Sequence, residues 1–161
     1  MQNRIGYGID ANQLEAGVSL IIGGVSIPYF KGSKGHSDGD VLFHAIVDAI
    51  LGALALGDIG EHFPSEDSRW ENANSKSFLE YTYNLMLDKG FSLENLDATI
   101  ILQHPKLISH IIEMRKNIAS ILHTEIDSIS VKATTTDEMG FTGNGSGIAA
   151  TAVVLINSHG N

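Results

Sequence analysis

The stretch Gly35-His36-Ser37-Asp38-Gly39-Asp40-Val41-Leu42-Phe43-His44-Ala45-Ile46-Val47-Asp48 decides how the rest of the chain is read. A polar, glycine-containing loop runs straight into an apolar helix, and Asp40, His44 and Asp48 recur at steps of four, which keeps them on one helical face. Val41, Leu42, Phe43, Ile46, Val47, Ile50, Leu51 and Leu54 fill the other faces, so most of the cylinder is buried and its polar stripe needs partners in the interior. Two readings of the stripe are open. In one, Asp40 caps the helix and His44 is a hydrogen-bonded core histidine. In the other, the stripe is a site: His44 offers one ring nitrogen to a metal and the other to an orienting carboxylate such as Asp48.

Upstream, Arg4 to Asp10 reads as a strand that delivers Asp10 and Asn12 to one face as alternate residues. These two oxygen-bearing side chains either chelate one ion or belong to an Asx-type turn into Glu15-Ala16-Gly17. Leu20-Ile21-Ile22 and Val25-Ser26-Ile27, joined by Gly23-Gly24, form a hairpin, and Pro28 to Lys34 is a loop. Downstream, the main helix runs from Asp40 to Leu56 and stops at Gly57. The acid-rich loop Asp58 to Asp67 follows, either functional or a solvated connection. Asn74 or Ser75 caps a second helix ending near Lys89.

Leu96 to Gln103 is apolar enough for a central strand. His104-Pro105-Lys106 then leads into a third helix, with Pro105 in its first turn and a core stripe of Leu107, Ile108, Ile111, Ile112, Ile118, Ile121 and Leu122. A strand over Ile129 to Ala133 ends in Thr134-Thr135-Thr136-Asp137-Glu138 and a glycine-rich turn. Hydroxyls and acids placed there suit phosphate oxygens and a hard cation, or make an ordinary hairpin loop. Gly147 to Asn157 is a last apolar strand. This order of elements gives an α+β or mixed α/β domain with helices on one face of a sheet, whose other face is covered by oligomerisation.

Length and composition agree with one domain over residues 1–161, with 43% hydrophobic residues to build its core. There are no cysteines, so any metal must be held by His, carboxylate or amide groups. A net charge of −9 argues against nucleic acid or an anionic membrane as partner, while a small anionic substrate remains open if cations supply local positive potential. The first residues lack the apolar run of a secretory signal, so the expected location is cytoplasmic.

Taken together, the sequence resembles the 2-C-methyl-D-erythritol 2,4-cyclodiphosphate synthase family of the non-mevalonate isoprenoid pathway. The resemblance is carried by Arg4-Ile5-Gly6 through Asp10, Ile22-Gly23-Gly24-Val25, His36-Ser37-Asp38-Gly39-Asp40-Val41 with His44, and Leu56-Gly57-Asp58-Ile59-Gly60 with Phe63-Pro64. Pro105-Lys106 and Val131-Lys132-Ala133-Thr134-Thr135-Thr136 with Gly140-Phe141-Thr142-Gly143 extend it to the whole chain. It implies a phosphorus–oxygen lyase that turns 4-diphosphocytidyl-2-C-methyl-D-erythritol 2-phosphate into the cyclic diphosphate and CMP. It further implies a homotrimer of mixed four-stranded sheets packed around a threefold axis, with active sites between subunits. Zinc would sit on Asp10, Asn12 and His44, and magnesium or manganese on Asp137 with the substrate phosphates. Substrate contacts would come from Asp10, Asn12, His36 and Ser37, and from Asp58, Ile59, Gly60 and the loop Phe63, Pro64, Ser65, Glu66 and Asp67. A second group would be Leu102, Gln103, His104, Pro105, Lys106, Leu107 and Ile108, which line the cytosine and phosphate pocket of a neighbouring subunit. The third is Thr134, Thr135, Thr136, Asp137, Phe141 and Asn144. His36 and Thr135 occupy the positions of transition-state stabilisation.

Two departures matter. Asn12 stands where the resemblance expects a metal-binding histidine, and an amide oxygen is the weaker zinc ligand. Asn144 replaces an arginine that faces an isoprenoid diphosphate in many members, so that ligand is not expected here. Two other functions compete: a non-catalytic trimeric cytidine-nucleotide-binding protein that has lost zinc through Asn12, and a metal-dependent phosphohydrolase with a linear product.

Overall fold

The computed structural model describes residues 1–35, 37–70 and 73–158. In chain order its elements are β1 (Gln2–Ala16), β2 (Leu20–Ile22), β3 (Val25–Ile27), β4 (Lys31–Ser33), α1 (Val41–Ala53), α2 (Ile59–His62) and α3 (Ser75–Asp88). There follow β5 (Phe91–Ile101), α4 (Ile111–Ile121), β6 (Ile129–Thr134), α5 (Gly140–Gly143) and β7 (Gly147–Ser158). The main sheet has the order β4-β1-β7-β5-β6; β7 is antiparallel to both β1 and β5, and β5 is parallel to β6. The fold is therefore the expected α+β class with a mixed sheet.

Several expectations need correction. The sheet has five strands rather than four, because Lys31–Ser33 pairs with the end of β1. A three-residue strand centred on glycine carries no alternation by which a sequence could announce it. β1 also runs past Asp10 to Ala16: Gln2 through Gln13 pair with β7 and Leu14 to Ala16 with β4, so the chain turns only at Gly17 and no Asx turn interrupts it. The third helix begins at Ile111, after a short 3-10 turn over Ile108–His110. Pro105, which follows a cis peptide bond, lies outside it. Ile108 and Ile112 are exposed rather than in the core stripe, whereas Met114, Ile118, Ile121 and Leu122 are buried.

α1 packs directly on β1 and β7 and is buried on nearly every side. The fit depends on Gly6 and Gly8: a Cβ at Gly6 would lie 1.8 Å from the Ala49 carbonyl oxygen, and one at Gly8 would lie 2.0 Å from that of Ala45. Glycine in the strand and alanine in the helix together allow the backbones to meet. Asp40 caps α1, its carboxylate accepting the N–H groups of Phe43 (3.1 Å), Gly23 (2.9 Å) and Gly24 (2.8 Å). The β2–β3 turn is thereby tied to the helix start, and burial of the carboxyl pushes its pKa up to about 6. Asp40 thus takes the capping role and leaves the polar stripe. On the opposite face of the sheet Ile5, Tyr7, Ile9 and Val153 are between 45% and 76% exposed. Among the described residues no helix is long and apolar enough to cross a membrane.

Candidate functional site

Even-numbered residues of β1 point toward α1, as the glycine contacts require, so Asp10 and Asn12 continue the row of Gly6 and Gly8 beyond the helix's close contact. There the strand and helix diverge enough to admit side chains, and a cleft of about 760 Å³ opens between Asp10, Asn12, Ser37, His44, Gly60 and the segment from Phe63 to Trp70. His44 Nδ1 faces Asp10 Oδ2 at 3.2 Å. The Asn12 amide nitrogen donates to the Gly39 carbonyl at 3.4 Å, which leaves its carbonyl oxygen as the group available to the cleft.

The orienting carboxylate expected for His44 is not Asp48. Asp48 accepts the backbone N–H of Ile59 at 2.8 Å and so anchors α2. Its pKa is raised by burial first, and then by the negative charges of Asp58 and Asp10. Asp58 caps the same short helix through the Glu61 N–H at 3.0 Å. The second ring nitrogen of His44 instead meets two hydroxyls, Ser75 at 2.7 Å and Ser37 at 3.2 Å. Sequence reading gave Ser75 only a capping role, because nothing in the local pattern links α3 to α1 across the fold.

The far wall is aromatic: Phe63 stacks on Phe78 at 4.4 Å, Trp70 meets Phe63 edge-on at 4.8 Å, and Phe78 lies 6.0 Å from the His44 ring. Trp70 and Phe78 were not among the expected site residues. Phe78 lies on the buried face of α3, and only tertiary structure brings it and Trp70 into the cleft. Pro64, Ser65, Glu66 and Asp67 line the rim, with Asp67 held below the usual carboxylate range by Arg69. Ile59 also lines it. His36 lies outside the described residues.

The remaining expected residues do not reach this cleft. Leu102 to Ile108 and Thr134 to Asp137 gather beyond the carboxyl ends of the parallel pair β5 and β6. The Leu102 N–H donates to the Thr134 carbonyl at 3.0 Å, and the Glu138 N–H to the Gln103 side chain at 3.0 Å. Thr136 bonds the Met139 carbonyl and the Thr142 hydroxyl, and Asp137 and Glu138 adopt left-handed backbone, with φ of 53° and 65°. Asp137 is thereby projected into solvent beside Thr135. Phe141 and Asn144 are also exposed, on and just after α5.

Both groups lie at the same end of the sheet, since Asp10 pairs with Ala150 and Ala150 with Ile100. They are separated by β7 and β5: three strand spacings put β1 about 14 Å from β6. Among the described residues no three His, Asp or Glu groups converge on one point. The donor set in the cleft is one carboxylate, one imidazole and one amide oxygen. That set fits a divalent cation, more weakly than one with a second imidazole would.

The architecture and this cleft define an α+β domain with a preformed cleft, of a size for a small molecule, at one end of a mixed sheet. The model of the YgbB family matches residues 3–157, and the chain belongs to that family. A relative from Alkaliphilus oremlandii, named 2-C-methyl-D-erythritol 2,4-cyclodiphosphate synthase, is 58% identical over 153 residues, 95% of this chain and 98% of its own. A protein of the same name from Clostridioides difficile is 53% identical, over 95% of each chain. Among solved structures, the bifunctional IspDF of Campylobacter jejuni superposes with a TM-score of 0.94 at 40% identity, covering 98% of this chain and 43% of that one. The Plasmodium falciparum IspF–CDP complex does so with a TM-score of 0.87 at 34% identity, over 98% of this chain and 97% of that one.

Proposed function

We propose that the chain is a 2-C-methyl-D-erythritol 2,4-cyclodiphosphate synthase that works in the cytoplasm as a homotrimer with its active sites between subunits. The observation that carries this reading is the division of the site. One chain holds two incomplete groups of polar residues about 14 Å apart at the same end of its sheet, together with an uncovered apolar face. Packing the exposed Ile5, Tyr7, Ile9 and Val153 of three copies around an axis would bring the Thr134–Asp137 end of one copy to the Asp10–His44 cleft of the next. The names of the relatives, and the CDP in the Plasmodium falciparum complex, support a cytidine diphosphate substrate.

The reaction then needs no protein nucleophile. An oxygen of the substrate's 2-phosphate attacks the β-phosphorus in line; as that bond forms, the bond from the β-phosphorus to the α-phosphate oxygen breaks and CMP leaves with the electron pair. The protein's task is to fold the substrate back on itself and to neutralise charge. A divalent cation held by Asp10, Asn12 and His44, and magnesium or manganese held by Asp137 with the phosphates, would supply positive charge to the reacting oxygens. Ser37, His36 and Thr135 donate hydrogen bonds to phosphate oxygens, while Asp58, Gly60 and the Phe63–Asp67 rim hold the sugars. The Leu102–Ile108 segment of a neighbouring copy receives the cytosine.

Asn12 is the specific observation behind a second reading, a trimer that binds the nucleotide without turning it over. The test is incubation of the purified protein with the diphosphocytidyl substrate and zinc, magnesium or manganese, followed by phosphorus NMR. CMP with the cyclic diphosphate supports the synthase. CMP with a linear product makes the chain a phosphohydrolase, and nucleotide binding without CMP under any ion makes it the non-catalytic protein.

A further inference from the structure

Ser75 is fully buried, and α3 does not need it as a cap, since the Asn74 side chain already accepts the Ser77 N–H at 3.0 Å. Its hydroxyl instead stands between two charged or ionisable partners. It is hydrogen-bonded to Asp38 Oδ1 and lies 2.7 Å from His44 Nε2. The Asp38 carboxylate is committed as an acceptor, taking the Ser75 N–H on Oδ2 at 3.0 Å and the Asp40 N–H on Oδ1 at 3.1 Å.

For a neutral His44 ring, the shortest contacts in this chain say where the proton lies. A carboxylate can only accept, so the Ser75 hydroxyl proton points to Asp38. The Ser75 oxygen must then accept from His44, which places a proton on Nε2. With Nε2 protonated, a neutral ring turns the Nδ1 lone pair toward Asp10 Oδ2, 3.2 Å away. Two acceptors at that separation repel unless a proton or a metal cation lies between them, and above the titration of the ring only the metal remains.

We propose that Ser75, polarised by Asp38, is a positioning residue that locks His44 in the Nε2–H tautomer and so aims Nδ1, with Asp10, at a divalent cation. The proposal rests on the cation-binding reading of the cleft. It adds to that reading two residues, from a loop and from the start of a distant helix, that line up the imidazole without touching the substrate. Ser37, at 3.2 Å from the same nitrogen, is the weaker alternative partner and faces the cleft. Acceptors of this kind behind a ligating histidine set ring orientation, and their loss costs about 10–100-fold in metal affinity.

Two measurements on the full chain test this. At the alkaline end of the ring's own titration, nitrogen-15 NMR of the metal-free protein reads which His44 nitrogen carries the proton. Chelator competition reads zinc affinity. The parent is expected to hold its proton on Nε2. Ser75→Ala should give a tautomer mixture and bind zinc about 10–100-fold more weakly. Asp38→Asn should shift both in the same direction, because its amide can donate to Ser75 and release the hydroxyl proton toward Nε2; it serves as the readout if Ser75→Ala does not fold. A parent proton on Nδ1, or variants that match the parent in tautomer and in zinc affinity, overturns the proposal. A parent that binds no zinc but keeps an Nε2 proton that Ser75→Ala loses refutes the cation reading and supports the relay.

Discussion

The Asp10–His44 cleft and the Thr134–Asp137 turn sit at the same end of one sheet, yet they are built in opposite ways. In the cleft, side chains from β1, α1, α3 and the loop before α1 are cross-bonded, half-buried and backed by an aromatic wall. At the turn, Thr135 and Asp137 stand in solvent, Asp137 on left-handed backbone, and their side chains have no such cross-bonded surroundings among the described residues. A buried network is preorganised during folding, whereas an exposed turn acquires walls only when something docks on it. The difference separates a rigid template from a half that, in the proposed trimer, would be completed by a second copy.

The strongest way to break the template half is Asp10→Ala. Removing the carboxylate opposite His44 should lower the rate of CMP release about 10³-fold, or about 4 kcal/mol, while leaving the melting temperature near the parent's. A loss below tenfold would show that the cleft is not the reacting half.

Next comes the buried anchor of that half. The Asp40 carboxyl holds its proton more tightly folded than unfolded, so the stability it contributes is present below about pH 4 and lost as the pH rises through about 6. A shift of about two units corresponds to about 3 kcal/mol. Urea unfolding at pH 4 and at pH 7 should therefore show the Asp40→Asn variant losing less stability than the parent over that interval. Equal losses would mean that the three N–H groups fully offset burial.

For the docking half, Tyr7→Glu places a charge on the sheet face where Tyr7 is 59% exposed. If the proposed trimer forms, the expected result is dissociation to monomers in sedimentation, with activity down about 10²-fold, because like charges would meet around its axis. A monomeric yet fully active variant would refute the shared site. The smallest effect is expected at Asp137→Ala, about tenfold in rate and partly restored by more magnesium, since in the proposed site this exposed carboxylate would share its cation with the substrate phosphates.

Much of this was legible along the chain. The hairpin at Gly23-Gly24, the apolar α1, the cap at Asp40 or Asn74 and the strand before Thr134 all rest on near-neighbour chemistry, and the structure places them where periodicity does. Asp10 and His44 are paired by the family resemblance alone; local spacing couples Asp10 with Asn12 and His44 with Asp48. What failed was of another kind. Asp48 shares the helical face with His44 but spends its carboxylate on Ile59, and Ile108 looks like core yet is exposed. Pro105 resembles a first-turn proline but precedes the helix by several residues.

From the sequence alone follow the element types, the helix-backed sheet, the absence of thiolate ligands and the residues able to hold a cation or a phosphate, because these depend on period, turn chemistry and side-chain type. Tertiary structure decided which of those residues meet. The strand order β4-β1-β7-β5-β6 sets Asp10 apart from Asp137, and the crossing of α3 over α1 hands His44 to Ser75 instead of Asp48. Hydrogen-bond partners at long sequence separation are set by how elements pack, and packing is a property of the whole chain that no local window contains.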